Sequence, residues 1–424
     1  MKNFIICLIL PLSVFQDVAL QHFGLGVFGG SLAILPLVVL ALISFFDVIK
    51  RGKIRVFKNN LVIVYIFFFL CINAYFVHEN NYVAFGENLI IKSLKMTVIY
   101  GASIYCFSLF RSNNIQNVGF WIKISLFLAV MGVVSDLIFH EALIGNWWLH
   151  YSLNESAFYT GGFDDRLKGF SLESSTLGLT LMVLGLLSSA YSNNSYSRYF
   201  YIFFSVVLCY FSQSKAALPV ILGSVIVSLL WANNISKYTK FFTLVTFSGL
   251  VFYLGGFFKE ILSDILLQNF ISDIENSTSF STRSSLFLAS FINVLSYPLG
   301  VGFSGYMQAI TEGLINASAL ISSLTGFDLN MREIYTITYG NSDYAISAKT
   351  VLSEGLFIFG IPFLIAWVWL HFKLLRSLAN QKHLLALATI LSLGVALTFY
   401  NNGQNLYFIA AAYGLIVRGE RREA

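Results

Sequence analysis

Charge is what this chain has least of. Only 11% of its 424 residues are Asp, Glu, Lys or Arg, while 57% are hydrophobic; a soluble domain carries about 25% charged residues. So little polar surface cannot cover a water-soluble globule. Cysteine is also scarce. Cys7, Cys71, Cys106 and Cys209 all lie inside apolar runs and show no paired spacing, so neither a disulfide framework nor a metal site is expected. HExxH and GxSxG are both missing. The six histidines are scattered, mostly near the ends of apolar runs, and read as interfacial side chains rather than ligands. The net charge of +5 comes from basic residues clustered in short connectors, which carry topology information and no nucleic-acid signal. No internal repeat, low-complexity tract or soluble-domain boundary is visible.

What remains is a series of apolar runs of roughly 17 to 25 residues, the length that crosses a bilayer as helix. The expected fold is therefore an all-α polytopic membrane protein with about 12 transmembrane helices. The spans are read at 3–20, 27–47, 61–77, 89–110, 118–139, 171–191, 198–212, 216–232, 241–258, 350–371, 384–399 and 403–417. The N-terminal run imitates a signal peptide, but no small-x-small cleavage site follows, and it is read as an uncleaved first helix. Lys50, Arg51, Lys53, Arg55 and Lys58 crowd one connector, which sets that side as cytoplasmic. An even span count puts both termini there too. The basic connectors then alternate onto one face, and two longer segments, 141–170 and 259–347, emerge on the other. The whole chain, 1–424, reads as one domain.

The segment 259–347 is too long to be structureless filler. Leu262, Ile265, Leu266 and Phe270 fall at helical spacing, as do Leu288, Phe291, Ile292 and Leu295, which predicts short amphipathic helices lying on the membrane or capping the bundle. Pro298, Gly300 and Gly302 form a breaker between two such helices.

Four constellations could carry chemistry. Arg166 and Lys168 sit at the outer surface just before Glu173. Arg166 offers a planar donor fork suited to phosphate oxygens, or it pairs with Glu173, which would otherwise favour the N-terminus of its helix. Gln213-Ser-Lys215 forms the outer turn of a tight hairpin, where Lys215 either snorkels or serves a function. Arg283 follows Ser281-Thr282. The glycines of Tyr297-Pro-Leu-Gly-Val-Gly302 make a plain loop turn or allow close backbone approach to a ligand. They lack the strand–turn–helix setting of a nucleotide fingerprint. Asp343, beside Tyr344, stands at the mouth of the tenth span as a helix cap or a functional carboxylate. Glu354 lies deeper, and Lys349 snorkels or pairs with a carboxylate.

Taken together, this pattern resembles the O-antigen polymerase and O-antigen ligase superfamily of bacterial envelopes. The resemblance rests on the late outer loop, Arg166–Glu173, Gln213-Ser-Lys215, Arg283 with Pro298–Gly302, and Ser342-Asp343 followed by Ser353-Glu-Gly355 and Gly360. Two departures stand out: Lys215 where the family typically has Arg, and no His near Ser342-Asp343, which favours polymerase over ligase. The resemblance implies a GT-C-like glycosyltransferase of the bacterial inner membrane with its site facing the periplasm. Donor and acceptor would be undecaprenyl-pyrophosphate-linked oligosaccharides. No cofactor and no metal are implied; a chain-length regulator and a flippase are candidate partners. Arg166, Glu173, Arg283 and Asp343 are the catalytic candidates, with Lys215, Lys168, Gly300, Gly302 and Tyr344 binding substrate. The rivals are a ligase acting on lipid A–core and, from another class, a lipid-linked oligosaccharide flippase.

Overall fold

The structure, a computed structural model, describes residues 2–16, 31–51, 60–113, 115–144, 169–171, 174–192, 194–211, 217–231, 236–238, 240–242, 245, 278–326, 329–339, 348–380, 384–399 and 405–423. Helices dominate: α1 (Lys2–Leu12), α2 (Ile34–Arg51), α3 (Asn60–Glu79), α4 (Leu89–Ser112), α5 (Val118–Ile144), α6 (Ser174–Ala190), α7 (Ser195–Phe211) and α8 (Ala217–Trp231). After the long segment's first part come α9 (Thr278–Ser296), α10 (Gly302–Thr325) and α11 (Arg332–Tyr339). The chain closes with α12 (Val351–Phe359), α13 (Ile361–Asn380), α14 (Leu384–Phe399) and α15 (Leu406–Glu423). A two-residue hairpin, β1 (Val83–Ala84) against β2 (Glu87–Asn88), turns α3 into α4.

Among the described residues, α4, the first part of α5 and most of α13 are long and apolar enough to cross a membrane. Only 17% of the apolar window of α4 and 11% of that of α13 is buried in the protein. Phe67 (63% exposed), Leu94 (65%) and Ile104 (65%) point outward. Exposed apolar surface on this scale needs a hydrocarbon neighbour, as expected of a membrane protein. The tally of about twelve spans reaches beyond this, and residues 259–277 and most of 241–258 lie outside the described residues.

Two cores organise the helices. The larger joins α1, α2, α4 to α8 and α13 to α15 around Phe110, Ile122, Leu181 and Phe408. The smaller belongs to α9–α12 with α3, around Val301, Met307, Ile310, Ile334 and Phe357. The late segment therefore has its own packed interior, and two of its helices are longer than the short ones expected: α9 has 19 residues and α10 has 24. The inward face of α9 is mainly small and polar. Its buried positions are Ser281, Thr282, Ser285, Leu286, Ala289, Ser290, Asn293 and Val294, whereas Leu295 is 83% exposed and Leu288, Phe291 and Ile292 are only partly covered. Small residues turned inward let helices approach closely, as in membrane bundles. Phe287, Leu288, Phe291 and Ile292 pack partly against the neighbouring cores, and Leu295 is exposed.

The run read as the tenth span is broken. Gly360 (φ +64°) separates α12 from α13, and Pro362 has no N–H to continue the ladder. A continuous helix would bond Ile361 N–H to the Phe357 carbonyl. Instead, Ile361 N–H donates to the Pro298 carbonyl at 2.8 Å, and the Phe357 carbonyl receives Val301 N–H at 2.9 Å. The Phe359 carbonyl accepts the Tyr65 hydroxyl at 3.1 Å. The α9–α10 turn thus inserts into the break and satisfies the groups that the break exposes. Contact is tight on both sides: a Cβ on Gly300 (φ +82°) would stand 2.3 Å from the Ile358 carbonyl oxygen, and one on Gly360 would stand 2.3 Å from that of Pro298.

The start of α10 is secured from a distance. Val301 provides no side-chain cap. Asn73 of α3 does so instead, its Oδ1 accepting from Phe303 N–H at 2.8 Å and Ser304 N–H at 3.2 Å. Its Nδ2 donates to the Phe69 carbonyl at 2.8 Å. This joins the late segment to an early helix through otherwise unmet N–H groups.

Gly300→Ala and Gly360→Ala should each lower stability by about 2–5 kcal/mol, combining overpacking with left-handed strain. Gly326→Ala, at φ +72° with open space around it, should cost about 1–2 kcal/mol. Denaturation of the purified variants in detergent measures this difference.

Candidate functional site

Of the catalytic and substrate-binding candidates named from the sequence, Arg283, Gly300 and Gly302 are described, as are Lys349 and Glu354 of the fourth constellation. Arg166, Lys168, Glu173, Lys215, Asp343 and Tyr344 lie outside the described residues. Gly300 approaches the α12–α13 break, and a Cβ on Gly302 (φ +68°) would meet the Asn73 side chain at 2.7 Å. The close approach at both glycines is to the protein itself.

Arg283 occupies the second turn of α9 and is half-buried. Its Nε is shielded from solvent and finds no acceptor among the described residues. A guanidinium held this way retains donors for an anion. The preceding residue, Thr282, donates its hydroxyl to Glu333 Oε2 at 2.8 Å, and Ser281 accepts Asn330 N–H at 3.0 Å. These two bonds tie α9 to the start of α11. That helix is short and amphipathic. Ile334 and Ile337 are fully buried one turn apart, which fixes its orientation. Glu333 Oε1 meets Lys349 Nζ at 3.1 Å, both side chains about a quarter exposed (28% and 25%).

Lys349 has a left-handed backbone, φ +58°. For a residue with a Cβ this costs about 1–2 kcal/mol, and a partly exposed ion pair returns about 0–1 kcal/mol. The pair alone does not account for the conformation. The flanking backbone does more. Ala348 N–H donates to the Tyr306 hydroxyl at 2.8 Å, and Thr350 caps α12 by accepting Ser353 N–H at 3.2 Å. The cap of the tenth span is therefore Thr350.

Glu354, in the first turn of α12, accepts the Tyr100 hydroxyl of α4 at 2.9 Å. Tyr306 of α10 lies in the same carboxylate's field. Burial first, and Glu354 second, hold its hydroxyl well above the ordinary phenol range, against a smaller opposing effect of the Ala348 N–H. It stays a neutral hydroxyl at physiological pH. A chain of polar contacts thus runs from α4 through Glu354, Tyr306 and Ala348–Lys349 to Glu333 and α9. Glu333 was not marked by the sequence argument. Its signal was available: an acidic first turn on an eight-residue amphipathic stretch.

Two further features differ from the sequence reading or lie beyond it. His371 was taken as interfacial, yet it packs between α13 and α15. Its Nδ1 lies 2.9 Å from the Trp367 carbonyl and its Nε2 lies 2.7 Å from the Tyr413 hydroxyl. A carbonyl only accepts, so Nδ1 carries the proton and Nε2 accepts from Tyr413. The second is a groove of about 390 Å³ between α3 and the α9–α10 turn, lined by Phe68, Cys71, Ile72, Tyr75 and Pro298 among others. It opens onto the exposed apolar face of α3.

No protein-family model matches the chain. The chain is similar to an uncharacterized 49.5 kDa protein in the cps region of Klebsiella pneumoniae. The two are 25% identical over 385 residues, covering 89% of this chain and 82% of that protein.

The Tyr100–Glu354 bond is a part-buried hydrogen bond from a hydroxyl to a carboxyl group. A double-mutant cycle of Tyr100→Phe and Glu354→Gln should give a coupling of about 1.5–3 kcal/mol in unfolding. Additive single losses would show that the bond contributes nothing.

Proposed function

We propose that the chain is a surface-polysaccharide polymerase of the O-antigen type, an inverting glycosyltransferase of the bacterial inner membrane with both termini cytoplasmic. It would join undecaprenyl-pyrophosphate-linked oligosaccharide repeats at the periplasmic face. The observation that carries this reading is Arg283, a half-buried cation whose Nε has no acceptor among the described residues, set in the folded segment that the sequence places outside the membrane. The relative from a cps region, a capsule-polysaccharide context, supports a polysaccharide-related role. The apolar groove beside α3 suits a lipid chain better than a sugar.

In this reaction, a hydroxyl of the acceptor sugar attacks the anomeric carbon of the donor glycan. The bond from that carbon to the pyrophosphate oxygen breaks, and its electron pair stays on the lipid pyrophosphate. Arg283 and Arg166, with Lys215 and Lys168, would stabilise the charge gathering on the leaving group. Each well-placed donor of this kind contributes about 3 kcal/mol. The acceptor proton would pass to a carboxylate, with Glu173 and Asp343 the candidates. Side-chain cations are sufficient for this chemistry, so no metal is invoked.

A transporter or flippase would find one supporting feature, the broken helix at Gly360, since interrupted helices mark transport sites. Here the α9–α10 turn fills the break, and its exposed groups are bonded to protein. A ligase remains the nearer rival and is separated by experiment.

In a strain carrying Arg283→Ala, polymer should fall about 100- to 1000-fold at normal protein level, with single repeat units still attached to core. Long chains of wild-type length in that strain would contradict the reading. Loss of all attached glycan would indicate a ligase. Purified lipid-linked repeats supplied without any core acceptor should be lengthened by the wild-type protein.

A further inference from the structure

The groove beside α3 encloses about 390 Å³ and follows that helix. Phe68, Cys71, Ile72 and Tyr75 form one wall, at positions that share a single helix face. Seven residues of helix make this wall about 10 Å long. Residues 296–300 line the other side. They belong to the turn that enters the α12–α13 break, where the Pro298 carbonyl accepts Ile361 N–H. The same turn therefore closes the break and lines the groove.

None of the lining residues is charged. Phe67 and Leu70, next to them along α3, are exposed, so the apolar surface that needs a hydrocarbon neighbour continues into the groove. Its hydroxyl-bearing rings gather at one end. Tyr75 and Tyr297 both pack on Phe76, with ring centroids 5.2 and 5.7 Å away. Both are exposed, at 57% and 42%, and neither hydroxyl bonds a described residue. Tyr75 lies one turn before Glu79, where α3 ends, the end that the sequence places outside the membrane. An apolar channel with neutral donors at its outward end matches an ester lipid, with hydrocarbon below and ester oxygens above. A lipid pyrophosphate would call for cations at that end, and the lining supplies none.

We propose that this groove holds one acyl chain of a bilayer phospholipid, with the Tyr75 and Tyr297 hydroxyls donating to its ester oxygens. The chain fills the space behind the α9–α10 turn and so stabilises the turn in its seat in the break. The ligand is a lipid of the surrounding membrane and not the substrate, so this site goes beyond the polymerase reading and does not depend on it.

The groove carries its own probe, because Cys71 is exposed while Cys7, Cys106 and Cys209 are buried. The full-length protein, stripped of lipid in detergent, is alkylated with monobromobimane while dioleoylphosphatidylethanolamine is titrated in, and thermal unfolding is followed in parallel. At saturation the phospholipid should slow labelling of Cys71 about fivefold or more and raise the unfolding temperature. In a Cys71→Ser background, Leu70→Cys places a thiol on α3 outside the groove lining, and its labelling rate should not change. Tyr75→Phe combined with Tyr297→Phe should raise the half-protecting lipid concentration about fivefold or more. Cys71→Trp fills the groove; lipid-free, it should unfold at the lipid-bound wild-type temperature and gain nothing from added lipid. If that variant does not fold, the labelling of the wild-type protein decides alone. An unchanged Cys71 rate with phospholipid would overturn the proposal, as would equal slowing at Leu70→Cys. Protection by undecaprenyl pyrophosphate but not by phospholipid at the same mole fraction would overturn it too, and would make the groove a substrate-chain site.

Discussion

A buried backbone group has no water to pair with, and this constraint governs the late half of the molecule. Gly360 is itself buried, and the break there leaves N–H and C=O groups that must find partners within the protein. The fold meets that demand with a second break. The turn at Pro298–Val301 supplies one acceptor and one donor, and glycine on each side lets the two backbones come close enough. Neither break is tenable without the other. Because they interlock, α9 and α10 are committed to one position against α12, and so are the side chains that these helices present. Arg283, Glu333, Lys349 and Glu354 inherit their arrangement from a pairing of main chains.

The packing of α9 fits the same need for close approach. Ser281, Thr282, Ser285, Ala289 and Ser290 face the protein together with Leu286 and Val294, while Leu295 is exposed. Small inward residues let the helices come close, and polar contacts then tie them together. Thr282 is a case in point: its hydroxyl faces inward and reaches the carboxylate that also holds Lys349.

Much of the architecture was legible from hydropathy. The runs read at 89–110, 198–212, 216–232 and 384–399 correspond to Leu89–Ser112, Ser195–Phe211, Ala217–Trp231 and Leu384–Phe399, since a long apolar run in a chain poor in charge has few alternatives to helix. The run at 350–371 concealed its break. Gly360-Ile-Pro362 is punctuation, but averaged hydropathy passes over it. Periodicity predicted a helix through Leu288–Leu295, which the structure has within Thr278–Ser296, but it could not say which face packs on the protein, because that depends on the neighbouring helices. The glycines of the turn were read as a plain loop turn or as room for a ligand, and in the structure main chain approaches Gly300 and the Asn73 side chain approaches Gly302. Asn73 gave no sequence signal, lying in the middle of an apolar span with its partners 230 residues away. For the site, Arg283 stood out as a charge in an uncharged neighbourhood. Glu333 did not, because its significance depends on which helices meet around it.

The cap that Asn73 places on α10 has a consequence for how the molecule is made. Synthesis runs from the N-terminus, so α3 leaves the ribosome long before the residues it will cap exist. Until then its amide has only the Phe69 carbonyl one turn below as a partner, and the acceptor oxygen waits in an otherwise apolar helix. Such a long wait exposes an intermediate to misassembly. Closure of the late segment is therefore also the step that completes an early helix, and chains that stop short of α10 carry a polar defect that quality control can read.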